Sequence, residues 1–376
     1  MWTEARSAAR RLLRWPRGPT ITRDRGRLDP YGGSLTFVVV CGRIFDQRVP
    51  NAATTARLGI ARGFELIGIP YVLVDIHTLV RRLPSLPNPI CWISASDYAY
   101  LDAHNLRALK QHRHIVWVAP WFDGDQEFWV RNGFPNMTLP ESITRAVLSS
   151  EPAFVFTISP SRGFEYYHGW VDHGARVVAL PLACDTTLYR DGVAPEPAFA
   201  AVEMAFVGGY WPYKAQQFDR YLKPYERRLT VFGYAPWPYS GYAGRLSEAR
   251  EPALYRQAIL SPTINEPHVE RMGIDVNERV FKVLGSGGMT ITDVTPAYRE
   301  WFTDDELLVP SSLDEYHAMV EQTLRDDGLR QRYRDRGRRA VWNRHTYAHR
   351  ARTILAQLGV QWPENPLRAD PTPCTD

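Results

Sequence analysis

Cysteine is scarce, long apolar runs are missing, and no dinucleotide fingerprint is present. Each absence removes a class of protein. The four cysteines, Cys41, Cys91, Cys184 and Cys374, are scattered over 376 residues. None lies at metal-ligand spacing from another, which speaks against a zinc module or a disulfide framework and for reduced thiols in a cytoplasmic protein. No stretch of about 18 uninterrupted apolar residues occurs, so no membrane span is expected. The N-terminus is basic but has no apolar segment leading to a small-residue cleavage site, so it does not read as a secretory signal. No strand–GxGxxG–helix run with a downstream acidic residue is found, which disfavours a Rossmann dehydrogenase. Internal repeats are also lacking.

What is there is a soluble, globular composition, 44% apolar and 23% charged, at a length that allows about two domains. The formal net charge is +4, and its placement matters more than its size. Residues 1–30 hold eight arginines against Glu4, Asp24 and Asp29. The body is therefore close to neutral and the basicity belongs to an arm, residues 1–33. Such an arm is either a solvated terminus or a contact for nucleic acid or an anionic surface.

From residue 34 short continuous apolar runs alternate with helical patterns. The runs are LTFVVVCG (35–42), PYVLVDI (70–76), PICWISAS (89–96), HIVWVAP (114–120), AFVFTIS (153–159) and RVVALPLA (176–183). This alternation predicts a parallel sheet covered on both faces over residues 34–190. A Pro-rich stretch, 191–200, reads as a linker. The pattern restarts over 201–345 with EMAFVGG, LTVFGY, SPTIN and GMTITD as strands. Residues 313–343 read as one or two amphipathic helices, 346–360 as a last helix, and 361–376 as a Pro-rich tail. The expected architecture is two doubly wound α/β domains facing a cleft, with ligands outside the carboxyl ends of the strands.

Candidate site residues follow from that placement. FVGGYWPYK leaves its strand through Gly208, Gly209 and Tyr210 and reaches Lys214. Glycines let backbone N–H groups approach an anion, and the lysine supplies charge, although a plain turn gives the same text. Gly233 and Tyr234 end another strand and either flank a base or close a turn. Asn265 and Glu266 suit sugar hydroxyls or a helix cap. Ser286, Gly287 and Gly288 are either a binding loop or a helix C-cap. In the first half, Arg43, Asp46 and Asn51 occupy the first βα loop. Asp97 follows the third strand, and Trp121 and Asp123 follow the fourth. Asp97 and Asp123 are candidates for orienting or deprotonating an acceptor.

Residues 203–350 resemble the C-terminal half of the glycosyltransferase group 1 superfamily, most closely its CgeB-like, spore maturation protein-like branch. The carrying motifs are FVGGYWPYK, TVFGY, ALYRQAILSPTIN, DVNERVFKVLGSGGMTITD, FTDDELLVPSSLDEYHAMVEQTLRDD and RHTYAHR. FTISPSRGFEYYHGW and ALPLACDTTLY carry a looser likeness in the first half. The resemblance implies a GT-B fold, two Rossmann-like domains with the last helix packing back toward the first. It also implies metal-independent, generally retaining transfer from a nucleotide sugar, a UDP-sugar foremost, to an unidentified glycan, lipid-linked or small-molecule acceptor. By the same resemblance Lys214 and Arg279 face the donor diphosphate, and the helix after Asn277 points its N-terminus there.

One position departs from the family text. The helix usually carries a glutamate that accepts the ribose hydroxyls, and Lys282 stands in its place. An ammonium cannot accept a hydrogen bond. Three readings follow: Lys282 holds a phosphate; Glu278, at i−4, pairs with it or replaces the missing carboxylate; or transfer activity is lost and the chain is a binding or assembly protein. The basic arm adds an alternative acceptor, DNA, as for phage-type DNA-modifying glycosyltransferases.

Overall fold

The computed structural model describes residues 34–41, 52–120, 141–190 and 192–362. The basic arm, Arg43, Asp46, Asn51, Trp121, Asp123 and Cys374 lie outside the described residues.

The first sheet is built from the runs that the pattern marks. Its strands are β1 (Thr36–Cys41), β2 (Tyr71–Asp75), β3 (Pro89–Ser94), β4 (Arg113–Trp117), β5 (Phe154–Thr157) and β6 (Val177–Ala179). All pairs are parallel, in the order β2-β1-β3-β4-β5-β6. Side chains alternate between two cores, as the pleat requires. Phe37, Val39 and Cys41 of β1 face one, and Val38 and Val40 face the other. A strand buried on both faces must be apolar throughout, so these strands could be read from composition.

One core of the first domain is completed by the end of the chain. Helix α1 (Ala52–Leu66) packs against the last helix, Tyr347–Gln357. Gly59 and Gly63, one turn apart, form the contact groove. A Cβ on Gly59 would lie 2.2 Å from the Tyr347 ring, and one on Gly63 would lie 2.3 Å from the Tyr347 carbonyl oxygen. Tyr347, Ala351, Ile354 and Leu355 then join Phe37, Phe64 and Trp92 in one buried cluster.

The second domain repeats the topology with a sparser ladder. Strands β7 (Met204–Val207) and β8 (Leu229–Phe232) pair in parallel. The expected strands SPTIN and GMTITD are present only as single parallel bridges, Met204 with Leu260, Thr263 with Thr292, and Ile291 with Leu308. Their backbones still bond in series, with Ala205 N–H donating to Leu260 O at 3.0 Å and Thr263 N–H to Ile291 O at 2.8 Å. Val231 also bridges Tyr242 in parallel, so the order in space is the 242 segment, β8, β7, the 260–263 segment, the 291–292 segment and Leu308. The crevice where that order reverses lies between β7 and the 260–264 segment, the usual ligand position of such sheets.

The stretch read as a linker is packed. Phe199 is buried with Phe232, Ala253 and Leu254, and Glu196 exchanges two hydrogen bonds with Gln257. The long amphipathic pattern resolves into two helices, Leu313–Arg325 and Asp327–Arg344. The Asp326 carboxylate between them caps the second by accepting from Leu329 N–H. Cys41, Cys91 and Cys184 are buried free thiols.

Candidate functional site

The crevice is lined by the loop after β7, the turn after β8, residues 265–266 and the N-terminus of helix α2 (Glu278–Gly285). Two glycines are there because chain segments touch. A Cβ on Gly233 would lie 2.3 Å from Gly208 O, and one on Gly209 would lie 2.7 Å from the Tyr234 hydroxyl. The Gly208 carbonyl also accepts from the Trp237 indole at 2.9 Å. Tyr210 turns inward onto Trp237 and Phe218.

Asn277 caps α2: its side chain accepts from Arg279 N–H at 3.0 Å, and its own N–H donates to the Tyr298 hydroxyl at 2.9 Å. That hydroxyl donates in turn to Asn265 Oδ1 at 3.1 Å. Asn265 N–H and Nδ2 donate to the two oxygens of Asp293 at 2.6 and 2.7 Å. Asn265 is thus committed to a buried network that fixes the helix start. Burial pushes the Asp293 carboxyl up to about 6 against the donors that hold it down.

Arg279 reaches back from the first turn of α2 to the end of β7. Its Nε and Nη2 donate to Val207 O at 3.2 and 2.7 Å, and its guanidinium lies 4.2 Å over the Phe206 ring. Its Nη1 is buried with no hydrogen-bond partner among the described residues. A helix N-terminus, a glycine-lined loop and a guanidinium with an unused donor make one positive corner, which suits an anion.

Lys214 is placed differently from a solvent-facing phosphate ligand. It is 4% exposed and donates to Ile264 O at 3.1 Å and to Glu266 Oε1 at 3.2 Å. Burial lowers its pKa, the Glu266 carboxylate works against that, and Arg279 adds to the lowering. Lys214 and Glu266 therefore neutralise each other under the crevice floor.

Lys282 also has a partner. It lies 3.3 Å from Glu278 Oε2 and 3.9 Å from Glu248, with its ammonium 5.1 Å over the Tyr189 ring. Burial opposes the charge, but Glu278, Glu251 and Glu248 outweigh it and the pKa rises. Glu278 is further held by Thr55 Oγ1 at 2.8 Å and by the Tyr347 hydroxyl at 2.6 Å. Those donors come from α1 and from the last helix, so one carboxylate ties both domains together. Glu251 accepts from Tyr189 and Tyr255.

Two groups of sequence candidates are not brought to this corner. Ser286, Gly287 and Gly288 sit at the opposite end of α2, about 12 Å from its start by helix rise. Gly287 has φ +76°, its N–H donates to Leu284 O, and Gly288 N–H donates to Val283 O. This is a Schellman C-cap, where the helix end carries negative partial charge. Asp97 belongs to the first domain and is buried beside Arg57, with Nη2 3.0 Å from its Oδ2. Burial raises its pKa more than Arg57 lowers it. Thr55, Tyr347, Glu248, Trp211 and Tyr213 were not among the candidates. Their only advance signal was their presence in or beside the quoted motifs.

Among the described residues no group of three or more His, Cys, Asp or Glu is placed to hold a metal ion, and no helix is long and apolar enough to cross a membrane.

Comparison with known proteins gives the context of this geometry. Residues 215–356 match the family model described as glycosyl transferase-like. No curated protein matches the chain. Among solved structures, Anabaena Alr3699/HepE in complex with UDP and glucose superposes with a TM-score of 0.56 at 9% identity, over 86% of this chain and 99% of that one. The trehalose-6-phosphate synthase OtsA gives 0.58 at 10% identity, over 86% and 99%. T4 phage BGT in complex with UDP and Mn2+ gives 0.54 at 11% identity, over 87% and 100%. At such identities the likeness speaks for architecture: two parallel-sheet domains, the second carrying the glycosyl transferase-like match, with a last helix returned to the first, are a GT-B fold.

Proposed function

We propose that the chain is a nucleotide-sugar-dependent glycosyltransferase whose donor diphosphate binds at the N-terminus of α2. The observation that carries this is the unpartnered Arg279 Nη1 beside the capped helix start and the Gly208–Gly209 loop. Transfer breaks the bond between the anomeric carbon and the leaving diphosphate oxygen, and negative charge grows on that oxygen. Arg279, with its unused Nη1 donor, and the positive end of the α2 dipole are fixed in position to stabilise it. Lys214, held by Glu266, sets the floor and adds no net charge of its own. A UDP-sugar is the preferred donor class, in keeping with the UDP complexes of the structural neighbours. A retaining, metal-independent outcome, a CgeB-like affiliation, a cytoplasmic location and a glycan, lipid-linked or small-molecule acceptor complete the reading by resemblance.

One observation favours a second reading, a GT-B protein that binds without transferring. Lys282 stands where the family text has its ribose carboxylate, and it is locked to Glu278. Calorimetric titration with UDP and UDP-glucose, together with hydrolysis of UDP-glucose in the absence of acceptor, separates the two. The transferase reading expects binding and slow hydrolysis. It also expects Arg279→Gln to weaken UDP by about 10- to 100-fold, the worth of a charge-assisted hydrogen bond, while Ser286→Ala at the far helix end leaves it unchanged. Binding without hydrolysis selects the second reading, and equal UDP affinity in wild type and Arg279→Gln removes the assigned diphosphate position.

A further inference from the structure

The loop after β7 sends its aromatic side chains to opposite sides. Tyr210 and Lys214 turn inward, whereas Trp211 and Tyr213 stay 44% and 46% exposed. Pro212 between them starts a single 3-10 turn, Pro212–Lys214, and Trp211 before it is extended. The turn therefore presents both rings on the outer side. Tyr234 closes the corner from the next strand end, with its ring centroid 5.8 Å from that of Trp211.

Below these rings lies Glu266. The Lys214 ammonium donates to its Oε1, and an ionised carboxylate is an acceptor only. Its Oε2 is buried and accepts no well-aligned hydrogen bond among the described residues. The Tyr213 hydroxyl lies within hydrogen-bond reach of this carboxylate, its pKa raised by burial, then by that charge and by the hydrogen bond to it. The corner thus offers aromatic faces and a carboxylate acceptor beside them, at the point where the strand order reverses.

The ring angles decide what fits. Trp211 and Tyr213 are inclined at 32°, and Trp211 and Tyr234 at 64°. Inclined walls do not sandwich a flat base. They suit a chair-shaped ring that offers C–H groups on its faces and hydroxyl donors at its edge, one of which meets Glu266 Oε2. We propose that Trp211, Tyr213 and Glu266 form a subsite for a pyranose ring. The ring comes either from the donor nucleotide sugar or from a saccharide acceptor. The subsite deepens the transferase reading and rests on it for its place, but not for its chemistry.

The test is calorimetric titration of the full chain with UDP, UDP-glucose, maltotriose, cellotriose and chitotriose. It is done for wild type, Trp211→Ala, Tyr213→Ala and Trp211→Phe. Both rings are half exposed, so these variants keep the fold. Glu266→Gln is avoided because it strands the buried Lys214. Wild type is expected to bind UDP-glucose more tightly than UDP, or to bind one trisaccharide. Trp211→Ala should weaken that sugar-dependent binding roughly tenfold, leave UDP unchanged, and be rescued by Trp211→Phe. Loss confined to UDP-glucose assigns the donor's sugar, and loss confined to a trisaccharide assigns the acceptor's. Sugar binding unchanged in both alanine variants overturns the subsite and leaves the transferase reading standing. Equal loss of UDP itself overturns it in favour of a base platform. A wild type that binds a trisaccharide through Trp211 but no UDP keeps the subsite and removes the transferase reading. A wild type that binds none of the five probes overturns both.

Discussion

Replacing Lys282 by methionine removes the buried cation 3.3 Å from Glu278 and 3.9 Å from Glu248. Breaking a buried ion pair by deleting one partner typically costs about 3–5 kcal/mol, because the other charge is left behind. Here the lysine side chain is 13% exposed and the Glu278 side chain 7%. Glu278 also keeps its Thr55 and Tyr347 donors. Both facts favour the lower end, so about 3 kcal/mol is expected. Lys282→Glu, which restores the family text, should be worse. It would set a fourth carboxylate about 4 Å from two others, each contact repulsive by roughly 4 kcal/mol at an effective dielectric of 20 before relaxation. The double variant Lys282→Met/Glu278→Gln should recover most of the loss, since removing both partners of a buried pair is often close to neutral. Urea unfolding at neutral pH, followed by tryptophan fluorescence and by circular dichroism, measures all three. A loss below about 1 kcal/mol in Lys282→Met, the range of exposed pairs, would refute the argument and make the ammonium a solvated group free for a ligand. Failure of the double variant to recover would show that lysine packing, not charge, was at stake.

Two further outcomes are expected. Gly63→Ala forces a Cβ to 2.3 Å from the Tyr347 carbonyl, a backbone contact that no rotamer relieves. Stability should fall by about 1–3 kcal/mol or more, read as a lower urea midpoint, and an unchanged midpoint would contradict the helix contact. Asp293 is fully buried with its carboxyl raised to about 6 from 3.8. A carboxyl raised in the folded state holds more protons there than in the unfolded chain, so stability is lost as pH rises through that window. The difference between wild type and Asp293→Asn should shift by about 2.4 kcal/mol from pH 4 to well above 6, measured by urea unfolding at each pH. A flat difference would mean that Asp293 ionises normally.

The first sheet was legible because each strand is buried on both faces and so reads as an unbroken apolar run. The second was legible in order but not in form. Its inner segments carry Thr263 and Thr290, whose hydroxyls bond each other inside the core at 3.1 Å, so the unbroken apolar run that marks a doubly buried strand is interrupted there. At the site, the spacing of Glu278 and Lys282 made their pairing one of three readings, since residues four apart on a helix face each other, and the ammonium lies 3.3 Å from that carboxylate. The other partners of Glu278 lie 223 and 69 residues away, and no local pattern carries that information. The glycine cluster misled for a different reason. It marks the helix end, a Schellman C-cap, whereas the proposed anion corner is at the helix start, and composition does not say which end faces the cleft.

The two crossings between the domains are joined: Cys184 N–H donates to His345 O at 2.8 Å, and Tyr347 N–H donates to Cys184 O at 3.0 Å. The core of the first domain is finished by residues that a ribosome makes only after the second domain's sheet. During synthesis the Gly59–Gly63 groove and the apolar surface around Phe64 have nothing to cover them until Tyr347–Leu355 arrives. Domains generally fold as units in the order of their emergence, but here the first must wait for the second. A chain released before residue 346 would carry an open apolar face, and a single backbone cut in the 190–200 stretch would leave both halves still bound.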